Sequence, residues 1–232
     1  PDIVVASEFM LDMLERSPLA RGFDRVHLVP FGVDTELFSP EIDRADARRQ
    51  LGIPEQDFVV FCRASEWPLK GLSVVKEALS LRSPLRPTTL LTVDRTGLVH
   101  DLNDSYRIVE AGHIADTEMR RLYAAADVFL MPSTAESFGM MAVEAMACGR
   151  PVICFQGTAV ETVTHAPDCG LAVRLGDPVE LREAIDRLAQ YPAEAVRRGG
   201  LGREIAEREY GHQRYLRQLA DVYESAVAAQ TR

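Results

Sequence analysis

The sequence predicts an α/β fold built on a doubly wound, Rossmann-like parallel sheet. Short runs rich in β-branched residues alternate along the chain with amphipathic helical runs, which is the order of elements in such folds. Several strand runs are apolar throughout, as expected of central strands that helices cover on both faces. The chain has 232 residues, 47% of them hydrophobic, so it can bury one large core or two small ones.

Short apolar runs and helical periods place the elements along the chain. Strands are predicted over residues 3–6, 26–30, 58–64, 89–94, 107–112, 127–133, 151–157 and 170–175. Helices are predicted over residues 8–16, 45–51, 72–82, 116–126, 140–148, 159–165, 179–190, 193–210 and 212–229. Helix starts are marked by Asp116-Thr117 and Asp177-Pro178, and Gly149 marks a helix end. The glycine-rich stretch 197–204 is expected to interrupt or join helices, because no strand precedes it.

Composition and charge narrow the classes of function. The formal charge of −9 argues against a nucleic-acid partner, because nonspecific phosphate binding rests on a basic face. The four cysteines form no CxxC pair and no histidine lies at ligand spacing from them, so neither a zinc site nor a disulfide framework is predicted. No apolar run has the length of a membrane span, so we expect a cytoplasmic protein. A peripheral contact with a membrane stays open.

Two glutamates stand in the most apolar segment of the chain, residues 128–155. Glu136 lies in the predicted strand-to-helix loop and Glu144 about one turn inside the next helix, so both can face a ligand over the helix start. That start offers unpaired N–H groups to a diphosphate, and Gly139 lets the backbone approach closely. Carboxylates beside it would accept from sugar hydroxyls, which indicates a sugar nucleotide. In the structural alternative, Glu136 only favours the helix dipole and Glu144 is solvated.

A second loop at the same predicted sheet edge carries two cations. Arg63 ends the strand predicted over 58–64, and Lys70 stands just before Gly71, which opens the next helix. Two cations in one such loop can clamp a diphosphate and stabilise its charge as it leaves. The alternative is a pair of solvated surface cations, and the nearby acidic loop favours the functional interpretation.

Five motifs in order resemble one known family. They are "PFGVD" (30–34), Arg63 with Lys70-Gly71, "GHIADTEMRRLYAAADVFLMPS" (112–133), "ESFGMMAVEAMACGRPVI" (136–153) and "GDPVELREAI" (176–185). Together they resemble the carboxyl-terminal half of the retaining glycosyltransferases of family four, which have the two-domain GT-B fold. The central signature of that family is E-x7-E, here Glu136 to Glu144. Phe31 departs from the pattern, since asparagine is frequent at its position.

The resemblance implies a role for each site residue. Glu136 would bind hydroxyls of the donor sugar and Glu144 those of the ribose, while Arg63 and Lys70 would neutralise the departing diphosphate. The donor would also contact the start of the helix, at Ser137, Phe138, Gly139 and Met140. The base would lie against the loop at His113 and Ile114. The resemblance implies no metal ion and no cofactor beyond the donor substrate, a UDP-, GDP- or ADP-sugar.

The implied activity is transfer of a hexose, with retention, to a glycan or lipid-linked acceptor. Residues 26–210 would form the donor-binding domain, residues 1–25 a remnant of the acceptor domain and hinge, and residues 211–232 a helix that crosses back to the acceptor domain. Such a fragment is expected to be inactive without that domain. Two alternatives stay open, a non-catalytic nucleotide-sugar binding module and a GT-B epimerase acting on sugar nucleotides.

Overall fold

The structure is a computed structural model that describes residues 1–230, which contain eight strands and nine α-helices. The strands are β1 (Asp2–Val5), β2 (Arg25–Leu28), β3 (Phe58–Ala64), β4 (Thr88–Asp94), β5 (Arg107–Glu110), β6 (Val128–Met131), β7 (Val152–Phe155) and β8 (Gly170–Val173). The helices are α1 (Glu8–Arg16), α2 (Arg44–Gln50), α3 (Leu72–Ser80), α4 (Asp116–Ala125), α5 (Met140–Ala147), α6 (Ala159–Val163), α7 (Pro178–Gln190), α8 (Pro192–Glu209) and α9 (His212–Gln230).

Six strands form one parallel sheet in the order β5-β4-β3-β6-β7-β8. The chain builds outward from β3 through β4 to β5 and then returns to the other side of β3 with β6. The order therefore reverses between β3 and β6, which is the point where doubly wound sheets bind ligands beyond the strand ends. This order confirms the predicted fold class.

Helices cover both faces of this sheet, which explains why several of its strands, such as β6 and β7, are apolar throughout. Along β3, Val59 and Phe61 belong to one core cluster, whereas Val60 and Cys62 belong to another on the opposite face. The first cluster receives side chains from α2, α4, α5 and α8, and the second mainly from α3 and α7. Alternation of side chains along a strand sends successive residues into the two cores.

The strands β1 and β2 do not join this sheet but pair with each other in a separate two-stranded parallel sheet. Its link to the larger sheet includes the Ser7 hydroxyl, which donates to the Ser137 carbonyl at 2.8 Å. Each face of the small sheet carries one exposed valine, since Val4 and Val26 lie on opposite faces in the strand register.

Helix α9 runs back from the end of α8 to this small sheet. The His212 N–H donates to the Val33 carbonyl at 3.0 Å at its start. Further along, the Arg25 guanidinium of β2 donates to the Ser225 hydroxyl at 2.6 Å. No helix within residues 1–230 is both long enough and apolar enough to span a membrane.

The glycine-rich stretch 197–204 lies inside α8, which is continuous, so the prediction that it interrupts or joins helices is wrong. The glycines serve close packing instead. A Cβ on Gly199 would lie 2.0 Å from the Gly149 carbonyl oxygen after α5, and one on Gly202 would lie 3.4 Å from the Met146 side chain. The missing side chains let α8 approach α5 closely, and tertiary contact outweighs the low helix propensity of glycine.

Candidate functional site

The loops that follow β3 and β6, the two strands between which the strand order reverses, enclose a pocket of about 210 Å³. Its lining includes seven of the predicted site residues: Arg63, Lys70, Glu136, Ser137, Phe138, Gly139 and Met140. Phe31 and the end of β6 complete the wall. The cationic loop after β3 and the acidic loop after β6 therefore meet, as expected of adjacent parallel strands.

Close backbone contact holds these two loops together. The Thr134 N–H donates to the Leu69 carbonyl at 2.9 Å. Gly71 ends the 3₁₀ turn Pro68–Lys70 with φ of +73°, and a Cβ there would lie 2.0 Å from the Pro132 carbonyl oxygen. Only glycine meets both demands, a left-handed backbone and contact with another chain segment.

That contact places Lys70 beside Glu136. The Lys70 Nζ donates to Glu136 Oε1 at 2.5 Å, and both side chains are mostly buried. The cation expected to face a diphosphate is thus paired with the carboxylate expected to face a sugar. Since a charge-assisted hydrogen bond of this kind is strong, it also positions both groups at the pocket wall.

The start of α5 forms the floor of the pocket. Gly139 precedes the helix in a left-handed conformation with φ of +102°, and no side chain caps this end. The Ala142 N–H already donates to the Gly139 carbonyl at 2.9 Å, so the N–H groups of Met140 and Met141 are the ones that can face an anion, and the helix dipole favours negative charge there. This geometry fits the diphosphate seat predicted from the sequence.

Arg63 lies on the other wall, held by a residue that the sequence did not single out. The Arg63 Nε–H donates to Asp94 Oδ2 at 2.9 Å. Asp94 ends β4, which neighbours β3 in the sheet. Its φ of +88° is unusual for a residue with a side chain, although aspartate tolerates this region better than most. Asp94 and Arg63 are in contact because β3 and β4 are neighbours in the sheet. Only knowledge of the strand order could therefore have indicated Asp94 as a partner of Arg63.

Glu144 lies apart from Glu136, outside the described lining of the pocket. Its carboxylate accepts from the hydroxyl of Tyr123, a buried residue of α4, at 2.8 Å. Burial raises the pKa of Glu144, the hydrogen bond from Tyr123 acts against this shift, and the charge of Asp116 adds to it. Tyr123 was missed because its position on the apolar face of α4 is typical of a core residue.

His113 and Ile114 lie in the loop between β5 and α4, outside the described lining of the pocket. His113 is exposed, whereas Ile114 is half-buried against the core beneath the sheet. Their predicted contact with a base stays a prediction.

Aromatic packing connects the pocket to α9. The Phe31 ring meets the buried Phe138 edge-on, with centroids 5.5 Å apart, and meets Tyr215 of α9 in the same way at 6.2 Å. A Cβ on the neighbouring Gly32 would lie 2.7 Å from the Tyr215 Cβ. Phe31 therefore lines the pocket and at the same time packs against the first turn of α9.

A larger cavity of about 700 Å³ lies at the opposite edge of the six-stranded sheet. Its lining includes Phe58, Asp127 and Pro151, which stand at or just before the starts of β3, β6 and β7. None of the predicted site residues lines it. The smaller pocket is the better functional candidate, because ligands of doubly wound sheets bind beyond the carboxyl ends of strands.

Comparison with known proteins agrees with this architecture. The family described as glycosyl transferases group 1 matches residues 56–191. The MMP alpha-(1->4)-mannosyltransferase of Mycolicibacterium hassiacum is 31% identical to the chain, over 97% of this chain and 54% of the relative. The chain spans about half the length of the curated relatives it matches.

Solved structures show the same fold. Sucrose-phosphate synthase from Thermosynechococcus elongatus superposes with a TM-score of 0.87 and 29% identity, over 98% of this chain and 59% of that protein. Anabaena HepE, solved in complex with UDP and glucose, has a TM-score of 0.80 and 22% identity, over 96% of this chain and 62% of that protein. These likenesses confirm the GT-B type of fold, and with the family match they show that the chain belongs to the group 1 glycosyltransferases.

Proposed function

We propose that this chain is the donor-binding half of a retaining glycosyltransferase, which transfers a hexose from a nucleotide diphosphate sugar to an acceptor. The observation that carries the proposal is the pocket at the strand-order reversal. There Arg63, the Lys70–Glu136 ion pair and the uncapped start of α5 line one pocket. A diphosphate needs cations and N–H donors, whereas a sugar needs a hydrogen-bond acceptor, and the pocket supplies both.

In this proposal the cations act on the leaving group. Negative charge grows on the diphosphate as its bond to the sugar breaks, so contacts from Arg63 and Lys70 strengthen in the transition state. The N–H groups at the start of α5 contribute in the same direction. These groups supply the charge stabilisation that a divalent ion supplies in other phosphate sites.

The two glutamates bind different parts of the donor. Glu136 accepts from hydroxyls of the hexose, next to the cleaving bond. Glu144, one turn inside α5, accepts from the ribose hydroxyls on the far side of the diphosphate. Their separation in the structure supports this division, because Glu144 is paired with Tyr123 and lies away from the Lys70–Glu136 pair. The nucleobase extends toward His113 and Ile114.

The acceptor, a glycan or a lipid-linked molecule in this proposal, is bound by a second half of the enzyme that faces the pocket. Residues 1–25 belong to that half and to the hinge, and α9 crosses back to it. The contact of Arg25 with Ser225 supports this arrangement, because it joins α9 to the small sheet. The chain then binds the donor by itself and needs the other half for transfer.

Calorimetry on this chain tests donor binding with UDP, GDP and ADP, followed by the sugar derivative of the best ligand. We expect one of the three diphosphates to bind clearly better than its monophosphate, and the sugar to add affinity. Failure of all three to bind would contradict the proposal. In the enzyme that joins both halves, the product decides between transfer and epimerisation, since only transfer forms a glycosidic bond to an acceptor.

A further inference from the structure

We propose that Asp94 is a positioning residue that orients the Arg63 guanidinium toward the donor diphosphate. The inference rests on the proposed function of the pocket and adds a specific role for a residue outside its lining. Asp94 does not border the pocket itself but contacts Arg63, which does. It acts on the ligand through Arg63 alone.

The contact leaves the useful side of Arg63 free. Within residues 1–230, the Arg63 side chain makes a single hydrogen bond, from Nε to Asp94 Oδ2 at 2.9 Å. The guanidinium has further donors on its two Nη atoms, and these remain available at the pocket wall. One anchored nitrogen restricts the rotation of a long side chain, so less freedom is lost when the Nη atoms bind the diphosphate.

The backbone of Asp94 is held from two sides. Its N–H donates to the Gly112 carbonyl at 2.9 Å, and the N–H of Arg95 donates to the Ala64 carbonyl at 3.1 Å. These bonds tie the end of β4 to the ends of β5 and β3. The aspartate carboxylate is therefore a fixed reference point, beside the strand that carries Arg63.

The backbone conformation indicates that the side chain has a use. In the described part of the chain, eight glycines have positive φ, but only Asp94 and His165 do so with a side chain. Glycine would adopt φ of +88° without strain at this position. Strained residues cluster at ligand sites, where a side chain must be presented at a set place. Here the carboxylate is presented to Arg63.

The test compares a nucleoside diphosphate with its monophosphate by calorimetry on this chain, using the nucleoside that the unchanged chain binds best. The ratio of the two dissociation constants reports contacts to the second phosphate. We expect Asp94→Gly to reduce the preference for the diphosphate about fivefold and to leave the monophosphate unaffected, because Arg63 contributes to that preference only when it is oriented. Asp94→Asn retains an acceptor oxygen, so the preference for the diphosphate should fall only about twofold.

A double-mutant cycle separates positioning from a general structural effect. Arg63→Ala should lower the preference for the diphosphate, and adding Asp94→Gly to it should lower the preference no further. Asp104→Gly, a change of an exposed aspartate in another loop, is the control and should match the unchanged chain. Thermal unfolding of each variant checks that it is folded.

Two results would overturn the role of Asp94 alone. One is an Asp94→Gly variant with the unchanged preference for the diphosphate. The other is an equal loss whether or not Arg63 is present. If the unchanged chain binds none of the nucleotides, the proposed function fails and this inference fails with it.

Discussion

The Lys70 ammonium and the Glu136 carboxylate, from loops after two different strands, form an ion pair of 2.5 Å at the wall of the pocket. The side chains are only 22% and 17% exposed, so the pair is shielded from water more than a surface salt bridge. In the proposed function, donor binding exchanges these partners: the diphosphate replaces Glu136 at Lys70, while sugar hydroxyls donate to Glu136. A sugar nucleotide provides a diphosphate for Lys70 and hydroxyls for Glu136, so each charge has a new partner. A bare nucleoside diphosphate leaves Glu136 without its cation.

This exchange predicts opposite effects of Glu136→Gln on two ligands. Without the competing carboxylate, Lys70 is free, so we expect the bare nucleoside diphosphate to bind a few-fold more tightly. The sugar nucleotide loses a charged acceptor, so its advantage over the diphosphate should fall about tenfold. Calorimetry with both ligands measures the two constants. Glu66→Gln, an exposed glutamate in the loop after β3, is the control. Equal weakening of both ligands would contradict the exchange.

Lys70→Ala should lower turnover strongly in the enzyme that joins this chain to its acceptor-binding half. Loss of one preorganised charge contact costs roughly 2–4 kcal/mol in the transition state, which is about 30- to 1000-fold in rate. The other lysine of the chain is Lys76 of α3, which pairs with Asp101 at 3.0 Å. Lys76→Ala is the matched control. Steady-state kinetics distinguish the two, and near-normal turnover of Lys70→Ala would rule out the assigned role.

The raised pKa of Glu144 predicts that nucleotide affinity depends on pH. The ionised carboxylate is the better acceptor for ribose hydroxyls, so affinity should fall as pH drops through this raised pKa, at a higher pH than for an ordinary glutamate. Glu144→Gln should bind about tenfold more weakly at neutral pH and should show little of this dependence. The test is the nucleotide affinity of the unchanged chain and of Glu144→Gln, measured from mildly acidic to neutral pH. Parallel pH profiles of the two proteins would argue against a role of the Glu144 carboxylate in binding.

Glu144 should also limit stability at neutral pH. Because burial raises its pKa in the folded state, the folded protein favours the protonated form, and this stabilising contribution is lost as pH rises through the raised pKa. We therefore expect Glu144→Gln to be more stable than the unchanged chain at pH 7, with a difference that shrinks on acidification. Thermal unfolding at several pH values measures it. A less stable variant at pH 7 would show that the pair with Tyr123 outweighs burial.

Gly71→Ala tests the contact between the two site loops. Gly176 is the matched control, since its φ of +72° is almost the same but no atom lies within 4 Å of an added Cβ. Gly176→Ala should cost about 1–2 kcal/mol from backbone strain alone. Gly71→Ala should cost more, about 3 kcal/mol or above, because the Pro132 carbonyl must move. It should also weaken diphosphate binding. Urea unfolding gives the free energies, and equal costs would contradict the role of Pro132.

Two neighbouring glycines of α8 should respond in opposite directions. A Cβ on Gly199 would lie 2.0 Å from the Gly149 carbonyl oxygen, whereas nothing lies within 4 Å of one on Gly200. Gly200→Ala should stabilise the chain by about 0.5–1 kcal/mol, as expected for an exposed helical position. Gly199→Ala should destabilise it by about 2 kcal/mol or more, because α8 must move away from α5. Chemical unfolding of both variants checks the difference, and a stabilised Gly199→Ala would disprove the close approach.

Local patterns predicted most of the elements. The helix predicted over 140–148 is α5, Met140–Ala147, and Asp177 caps α7 by accepting from the N–H groups of Val179 and Glu180. Predicted strands ran past their ends, as 127–133 did beyond β6, Val128–Met131. The chain stays buried through Pro132 and Ser133, but the backbone there no longer has a neighbouring strand to pair with.

The charged residues of the site were found by loop position, but their partners were not. The sequence indicated these residues because Arg63 stands at the end of a predicted strand, and Lys70 and Glu136 stand in loops that follow strands. It did not indicate that Lys70 pairs with Glu136, that Asp94 holds Arg63, or that Tyr123 donates to Glu144. Each of these pairs joins segments at least 21 residues apart, beyond the reach of any helical or strand period.

The sequence by itself determined the order of strands and helices and the chemistry of the two loops, since side-chain period, caps and turn residues act within a few neighbouring positions. Only the tertiary structure decided that β3 and β6 are neighbours, that β2 leaves the main sheet to pair with β1, and that the glycines of α8 serve packing. These features depend on which apolar faces bury each other across long separations. That choice is a property of the whole core, so no short segment of the chain specifies it.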